Sequence, residues 1–352
     1  MTNPKSKIVR LSVPLRGSKL RAASGREAEV QNRSTERFAL SISATSAALS
    51  TSPLDRTEAE KSRSPKSAHG LFVGLVTLDL IYLADSAPKN NQKIVATDYT
   101  VAAGGPATNA AVTFNYLGNQ ATVLGVVGSH TMTQLIRADL ANYKVAIADL
   151  EPTTDLAPPV SSIIVTQATG ERAVVSINAV KTQASSASIP SDILQNVDIV
   201  LIDGHQMAVS YSIAQMAKAK NIPVVIDGGS WKAGFEQVLP FVDYAICSAN
   251  FYPPNCQTGE EVFAYLGGFY IPYIAITHGQ KPIEYLSCTK TGIVDVPQVQ
   301  AVDTLGAGDI FHGAFCDYIL RESFTDALAL AANIAADSCK FFGSRRWMDL
   351  KG

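Results

Sequence analysis

The sequence lacks any apolar run of the length that crosses a membrane, about 18 residues or more, and it lacks a large net charge. Its 352 residues are 47% apolar and 17% charged, and the formal net charge is −2. A chain of this length and composition can bury a substantial core. Nearly balanced charge offers no footprint for nucleic acid or an anionic membrane surface. We therefore expect small-molecule partners, and neither nucleic acid nor a membrane.

Cysteine is also scarce. The five thiols are odd in number, lie far apart and form no C-x-x-C pair: Cys247, Cys256, Cys288, Cys316 and Cys339. This usage excludes a disulfide framework and a structural zinc site. It is typical of reduced thiols in a reducing compartment.

Apolar periodicity is missing from residues 1–70. This segment is rich in Ser, Arg and Lys, with 13 basic and 6 acidic side chains, and its first acidic residue is Glu27. Such a composition buries too little apolar surface to fold, so we expect a disordered N-terminal extension. Two locations stay open. One is the cytoplasm, and the other is a plastid or another organelle if the extension is a transit peptide.

A glycine-rich stretch at residues 303–313 reads D-T-L-G-A-G-D-I-F-H-G, and apolar residues then recur at helical spacing. A loop thus opens a helix, whose free N–H groups and positive dipole end favour an anion. Asp309 stands beside that anion site. It is either a plain helix cap or a general base, next to a phosphoryl group held by the N–H groups of Gly306, Ala307 and Gly308.

Two familiar phosphate-binding motifs do not match this stretch. A dinucleotide fingerprint needs a third glycine where the chain has Phe311, and a Walker A loop needs Lys followed by Ser or Thr.

A second glycine motif comes earlier in the chain. Gly104 and Gly105 allow a close approach of backbone to ligand, and Pro106 suits the first turn of a helix. One turn later, Asn109 carries an amide that can donate to and accept from a polyol. The alternative is an ordinary loop with a local hydrogen bond from Asn109.

Both stretches resemble motifs of the ribokinase-like (pfkB) carbohydrate kinases, namely D-T-x-G-A-G-D and G-G-x-x-x-N-x-A. The resemblance covers about residues 71–347. It implies ATP-dependent phosphorylation of a primary hydroxyl of a sugar or sugar derivative, with Mg²⁺, and a homodimer through a small β-lid. Two alternatives stay open: a nucleoside kinase of the same family, and a catalytically weak binding or regulatory protein.

Strand and helix patterns alternate along the second half of the chain. This predicts an α/β fold with a mostly parallel central sheet and helices on both faces. The resemblance adds a small β-lid from strands near 92–103 and 159–178 within a kinase domain at 71–347, followed by a tail at 348–352. The predicted strands include 71–76, 199–202, 224–226, 244–247 and 273–276, and the predicted helices 208–220, 231–239, 258–266 and 325–342.

Asp79 follows the predicted strand 71–76. Ligands of open α/β sheets bind at the carboxyl ends of strands, so this carboxylate is either a sugar ligand or a cap or loop residue. By resemblance, the sugar site also includes the glycine motif and one residue of the lid: Gly104, Gly105, Asn109 and Asn178.

The nucleotide site rests on the resemblance alone. Thr277 and Gly279 match the family's T-x-G stretch, although Pro282 replaces a usual glycine. Asn333 lies on the last long helix, where the family places a residue near adenine. Its alternative is an exposed helix position.

The family's N-x-x-E motif for magnesium is incomplete. Asn250 matches its first position and is the candidate metal residue, but the glutamate is absent. Glu260 and Glu261, ten and eleven residues further on, are its candidate substitutes.

Overall fold

The computed structural model describes residues 67–177, 183–288 and 290–351. The predicted disordered extension lies outside these ranges except for its last four residues, and Asn178, the predicted sugar contact in the lid, also lies outside them. The first strand begins at His69. Along the described ranges, no helix is both long and apolar enough to cross a membrane.

Thirteen strands lie within the described ranges. They are β1 (His69–Val73), β2 (Thr77–Ala84), β3 (Asp98–Gly104), β4 (Gln120–Gly125), β5 (Ala146–Asp149), β6 (Val160–Thr166), β7 (Arg172–Ser176), β8 (Ile199–Ile202), β9 (Val224–Gly228), β10 (Tyr244–Ser248), β11 (Tyr273–His278), β12 (Lys281–Ser287) and β13 (Lys290–Val294).

The same ranges contain seven α-helices. They are α1 (Pro106–Tyr116), α2 (Thr133–Asn142), α3 (Met207–Ala219), α4 (Phe235–Val238), α5 (Gly259–Gly267), α6 (Ala307–Tyr318) and α7 (Phe324–Ser338). Short 3-10 helices lie at Ser186–Ser188, Leu239–Phe241 and Arg346–Lys351.

The larger sheet has nine strands in the order β13-β12-β11-β10-β9-β8-β1-β4-β5. The seven from β11 to β5 are parallel, and β12 and β13 add an antiparallel pair at one edge. All four residues of β8 are buried. Parallel strands are covered on both faces, which explains why this strand is continuously apolar. The predicted mostly parallel sheet is confirmed.

Helices cover both faces of this sheet. Side chains of β1 alternate between the faces: Leu71 and Val73 belong to one core cluster, with α3, α4 and α5, whereas Phe72 belongs to the other, with α1, α2, α6 and α7. The alternation follows from the two-residue period of a strand. It confirms the predicted helices on both faces.

The smaller sheet is the lid, with the order β3-β2-β6-β7. Strands β6 and β7 form the predicted hairpin. Two details differ from the sequence prediction. Residues 92–97 form no strand, and β2 was not predicted as a strand of the lid. Because apolar residues predominate from Leu71 to Leu83, sequence alone does not show that β1 ends at Val73 and a new strand starts at Thr77.

The predicted helix 231–239 is reduced to the single turn of α4 and the 3-10 turn that follows it. Gly234 precedes it in a left-handed conformation, with φ 100. Pro240 lies in the 3-10 turn, and a proline in a helix interior removes a backbone hydrogen bond. Both residues are therefore boundary signals that the apolar spacing concealed.

Candidate active site

The loop before α6 determines where Asp309 lies. Gly306 has φ 72, a left-handed conformation that favours glycine. The helix begins at the next residue, so Asp309 falls in its first turn. Two pairs of apolar residues hold the helix in the core: Ile310 and Phe311, and Ala314 and Phe315.

Helices α1 and α6 pack closely because of one glycine. A Cβ added at Gly313 would lie 2.3 Å from the carbonyl oxygen of Ala110, so no larger residue fits there. This close approach brings Asn109 of α1 to Asp309 of α6. Asn109 Nδ2 donates to Asp309 Oδ2 over 2.8 Å.

Asp309 does not cap its helix, because α6 has no side-chain cap. Its carboxylate is instead held by Asn109, 200 residues away in sequence. Burial raises the pKa of Asp309 to about 7, and the negative charge of Asp227 adds to this effect. The hydrogen bond from Asn109 and the nearby His312 oppose it. A carboxylate with a pKa near neutrality is matched to a general base.

Asp79 lies within the lid strand β2, and not in a loop after a strand, as predicted from the sequence. The physical reason is the early end of β1. Its Oδ1 accepts from Thr77 Oγ1 over 2.8 Å. Burial raises its pKa, and hydrogen bonds from the hydroxyls of Thr77 and Ser161 oppose this.

Gly104 lies against this carboxylate. A Cβ at Gly104 would be 2.0 Å from Asp79 Oδ2. The next residue, Gly105, has φ +101, and a Cβ there would lie 2.2 Å from the carbonyl oxygen of Leu75. The glycine pair thus lets the end of β3 and the start of α1 pass beside Asp79. The structure brings these predicted sugar-site residues to one place.

A cavity of about 430 Å³ opens beside the first turn of α6. Ala307 and Gly308 line it, and so do Thr277 and Gly279, the predicted nucleotide residues. Asn333 does not line it and is exposed on α7. Small residues of the same helix face the cavity instead: Ala332, Ala335 and Ala336.

His312 lines the same cavity one turn after Gly308. Its Nδ1 lies 2.7 Å from the carbonyl oxygen of Gly308 and 3.4 Å from Asp227 Oδ2, and its Nε2 lies 3.2 Å from the carbonyl oxygen of Ile246. Both ring nitrogens therefore face oxygen acceptors.

Arg172 brings a positive charge from the lid. It begins β7, and its Nη1 donates to the carbonyl oxygen and to Oγ1 of Thr304, each over 3.1 Å. Arg172 also lines the cavity. The lid is thus connected directly to the loop that precedes α6.

Comparison with known proteins decides the family. A model described as "pfkB family carbohydrate kinase" matches residues 68–348. The chain belongs to the pfkB carbohydrate kinase family. Kinases of this family such as ribokinase are phosphotransferases.

Individual relatives are distant. The chain is 25% identical to ribokinase of Bacillus subtilis (strain 168) over 287 residues, covering 78% of this chain and 94% of the relative. The structure is similar to ribokinase from Giardia lamblia, with TM-score 0.68, 17% identity and coverage of 80% and 98%. It is also similar to Arabidopsis thaliana ribokinase complexed with ribose and ATP, with TM-score 0.64, 19% identity and coverage of 79% and 94%.

The magnesium residue predicted from the pfkB pattern lies apart from the cavity. Asn250 is exposed, its N–H donates to Ser248 Oγ, and it does not line the cavity. Glu261 completes the capping box of α5 with Thr258. In the described ranges, no group of three or more His, Cys, Asp and Glu side chains could hold a metal ion.

A site for Mg²⁺ does not require such a group of side chains. The ion commonly keeps several waters and binds to substrate phosphates with only one or two carboxylates. Asp227 is buried near the end of β9 and is close enough to Asp309 to raise its pKa, but it does not line the cavity.

Three residues of this pfkB site were not predicted as site residues. Asp227 follows a predicted strand, so its position at the sheet edge was a usable signal. His312 lies inside the recognised motif, but its partners come from β9 and β10. Arg172 gave no local signal, because its partner Thr304 is 132 residues away.

Proposed function

We propose that this chain transfers the γ-phosphoryl group of ATP to a primary hydroxyl of a sugar or sugar derivative. One observation carries the proposal. Asp309 is half-buried, is hydrogen-bonded to Asn109 of the glycine-pair motif, and stands in the first turn of a helix that opens onto the cavity. The proposed base therefore lies between the acceptor side, at the glycine-pair motif, and the phosphate side, at the start of α6.

The chemistry is a single displacement. Asp309 accepts the proton of the acceptor hydroxyl while the hydroxyl oxygen forms a bond to the γ-phosphorus. The bond between that phosphorus and the bridging oxygen breaks, and ADP leaves. The products are a sugar phosphate, ADP and one proton on Asp309.

Charge on the transferred group is stabilised by the start of α6. The first N–H groups of a helix have no partner within it and point along the positive end of its dipole. A Cβ added at Gly308 would meet no protein atom within 4 Å, so this backbone is open to a ligand. The N–H of Ala307 also donates to the carbonyl oxygen of Thr304, at a long 3.3 Å.

The acceptor side is formed by Asp79, Gly104 and Gly105. A carboxylate accepts hydrogen bonds from sugar hydroxyls, and the glycine pair lets the backbone pass close beside it. Asp79 lies on the lid, so a bound sugar would join the lid to the main sheet at the carboxyl ends of β1 and β8.

ATP occupies the cavity beside α6 in this proposal. The solved structure of Arabidopsis thaliana ribokinase with ribose and ATP supports a site for both ligands in this fold. Thr277 and Gly279 contact the nucleotide, and the small side chains of α7 leave room for its base. Mg²⁺ on the ATP phosphates neutralises part of their charge.

The test is ATP consumption with Mg²⁺ against a panel of sugars, sugar phosphates and nucleosides. We expect turnover with a sugar or sugar derivative. In Asp309→Asn, kcat should fall by roughly 10²- to 10⁴-fold, with the far-UV spectrum unchanged. Asp326→Asn is the matched control, because Asp326 also lies in the first turn of a helix but is exposed and accepts a hydrogen bond from Ser323.

Three results would contradict the proposal. Asp309→Asn with wild-type turnover would remove the assigned base. Preference for nucleosides would favour the nucleoside kinase. ATP binding without consumption by any acceptor would favour a binding or regulatory protein.

A further inference from the structure

A buried arginine lies behind the proposed base. Arg345 directly precedes the last 3-10 helix, Arg346–Lys351, and is 6% exposed. Its Nη1 donates to Asn109 Oδ1 over 2.9 Å. Asn109 in turn donates to Asp309. Arg345, Asn109 and Asp309, which lie far apart in the sequence, thus form one hydrogen-bonded series.

The order of donors in this series has one solution. A guanidinium group only donates, so Asn109 must present its oxygen to Arg345. Its amide nitrogen must then face Asp309, which accepts at Oδ2. Without Arg345 the amide of Asn109 could rotate by half a turn and present oxygen to the carboxylate. Among the described residues, Asp309 Oδ1 has no hydrogen-bond partner, so it is the oxygen left for an acceptor hydroxyl.

Arg345 is itself held on the opposite side. Its Nε and Nη2 lie 3.4 and 3.3 Å from Asp139 Oδ2, and its guanidinium carbon lies 5.5 Å from the centroid of the Tyr143 ring. Because Asp139 neutralises its charge, Arg345 does not need Asp309 as a counter-ion. The main effect of its hydrogen bond to Asn109 is therefore to orient the amide, and not to neutralise a charge.

Arg345 and Asp139 also hydrogen-bond to the backbone near the end of the lid strand β3. The N–H of Ala103 donates to Asp139 Oδ2 over 3.0 Å, and its carbonyl oxygen accepts from Arg345 Nη2 over 2.7 Å. Ala103 directly precedes Gly104. Arg345 therefore holds the acceptor-side backbone and the partner of the base with one rigid guanidinium group.

We propose that Arg345 is a positioning residue for phosphoryl transfer, which acts by orienting the Asn109 amide toward Asp309. The inference rests on the proposed function of Asp309. It concerns a residue that touches no reacting atom. Its effect must therefore pass through Asn109, and this is what the experiment measures.

The first measurement compares Arg345→Met with the wild type, using the sugar identified by the acceptor panel. We expect kcat to fall by roughly 10- to 100-fold, as for a small misplacement of a reacting group, while the KM for ATP changes less than about threefold. Arg345→Lys should recover little, because an ammonium group cannot make the forked contacts. Arg346→Met is the matched control, since neighbouring Arg346 pairs with Asp98 at the exposed surface.

The second measurement is a double-mutant cycle with Asn109→Ala. If Arg345 acts through Asn109, Arg345→Met causes no further loss of kcat in the Asn109→Ala background. Equal losses in both backgrounds would overturn the proposal and leave Arg345 a structural residue.

The third measurement needs no turnover. The carboxyl carbon of Asp309 is titrated by NMR in protein with ¹³C-labelled aspartate and assigned by its loss in Asp309→Asn. We expect Arg345→Met to raise the pKa of Asp309 above its value of about 7, because the donor from Asn109 is lost, and Arg346→Met to leave it in place. An unchanged titration would overturn the proposal. A raised pKa in a protein without kinase activity would contradict only the proposed function.

Discussion

At the scale of the single residue, the raised pKa of Asp309 lowers the stability of the folded chain at neutral pH. Its pKa is about 7 in the folded chain, because of burial and then of Asp227, against an ordinary value of 3.8. Between about pH 4 and pH 7 the folded protein keeps a proton that the unfolded chain has lost. The free energy of unfolding therefore falls as the pH rises through this window.

Asp309→Asn should remove this loss. We expect the variant to be more stable than the wild type at pH 8, by at most a few kcal/mol, and nearly equal to it at pH 4. Urea unfolding followed by circular dichroism at both pH values measures the difference. A stability difference that does not change between pH 4 and pH 8 would show that the pKa of Asp309 is not raised.

In the proposed mechanism, the same titration of Asp309 governs activity. A general base works only when ionised, so kcat/KM for the acceptor should rise with pH and level off above an apparent pKa near 7. Initial rates from pH 5 to pH 9 at low acceptor concentration measure this. A rate that is flat from pH 5 to pH 8 would contradict the assignment of Asp309 as the base.

At the scale of elements, the contact between α1 and α6 decides whether the site forms. In Gly313→Ala, the added methyl group would overlap the carbonyl oxygen of Ala110 at 2.3 Å. The helices must separate, which should cost about 1–3 kcal/mol and lower kcat by roughly 10²-fold as Asn109 leaves Asp309. Unfolding curves and initial rates measure both effects.

Gly267→Ala is the matched control at the end of α5. An added Cβ there would meet no atom within 4 Å, and alanine favours a helix by up to about 1 kcal/mol over glycine. Wild-type activity and equal or higher stability are expected. If both alanine variants behaved alike, close packing of α1 on α6 would not be the reason for the loss.

At the scale of the whole molecule, one buried carboxylate joins the lid to the main sheet. Asp203 follows β8 and accepts from the N–H groups of Leu75 (2.9 Å), Ala107 (3.2 Å) and His205 (2.9 Å). Leu75 lies between β1 and the lid, and Ala107 lies in the first turn of α1. Burial raises the pKa of Asp203, but His205 and the backbone donors outweigh this, so its pKa lies below 3.8.

Asp203→Asn should therefore destabilise the entire described fold, by about 2–4 kcal/mol at neutral pH. A lowered pKa contributes stability above pH 3.8 that is lost as the pH falls through the folded-state value, so the difference between variant and wild type should shrink below pH 3.8. Chemical unfolding at pH 7 and pH 3 measures it. Asp337→Asn, at an exposed ion pair, should change stability little. Equal effects of the two variants would exclude Asp203 as the link.

The amino-acid sequence by itself determined the class of fold, the two motifs and the family. Those features depend on local patterns: buried parallel strands are continuously apolar, helices repeat with their own period, and glycines must stand where backbone bends or approaches closely. For the same reason Asp309, the glycine pair and the T-x-G stretch are recognisable in the linear chain. The linear chain does not show whether Asp309 caps a helix or belongs to a binding site.

Only the tertiary structure decided how those residues meet. Asn109 is 200 residues from Asp309 and 236 residues from Arg345 in sequence, and their series exists because α1 and α6 pack closely. The end of β1 before Thr77 depends on pairing with distant strands, which is why Asp79 was misplaced in the sequence prediction. Hydrogen-bond direction, burial and pKa depend on neighbours brought together by folding, and no local pattern contains them.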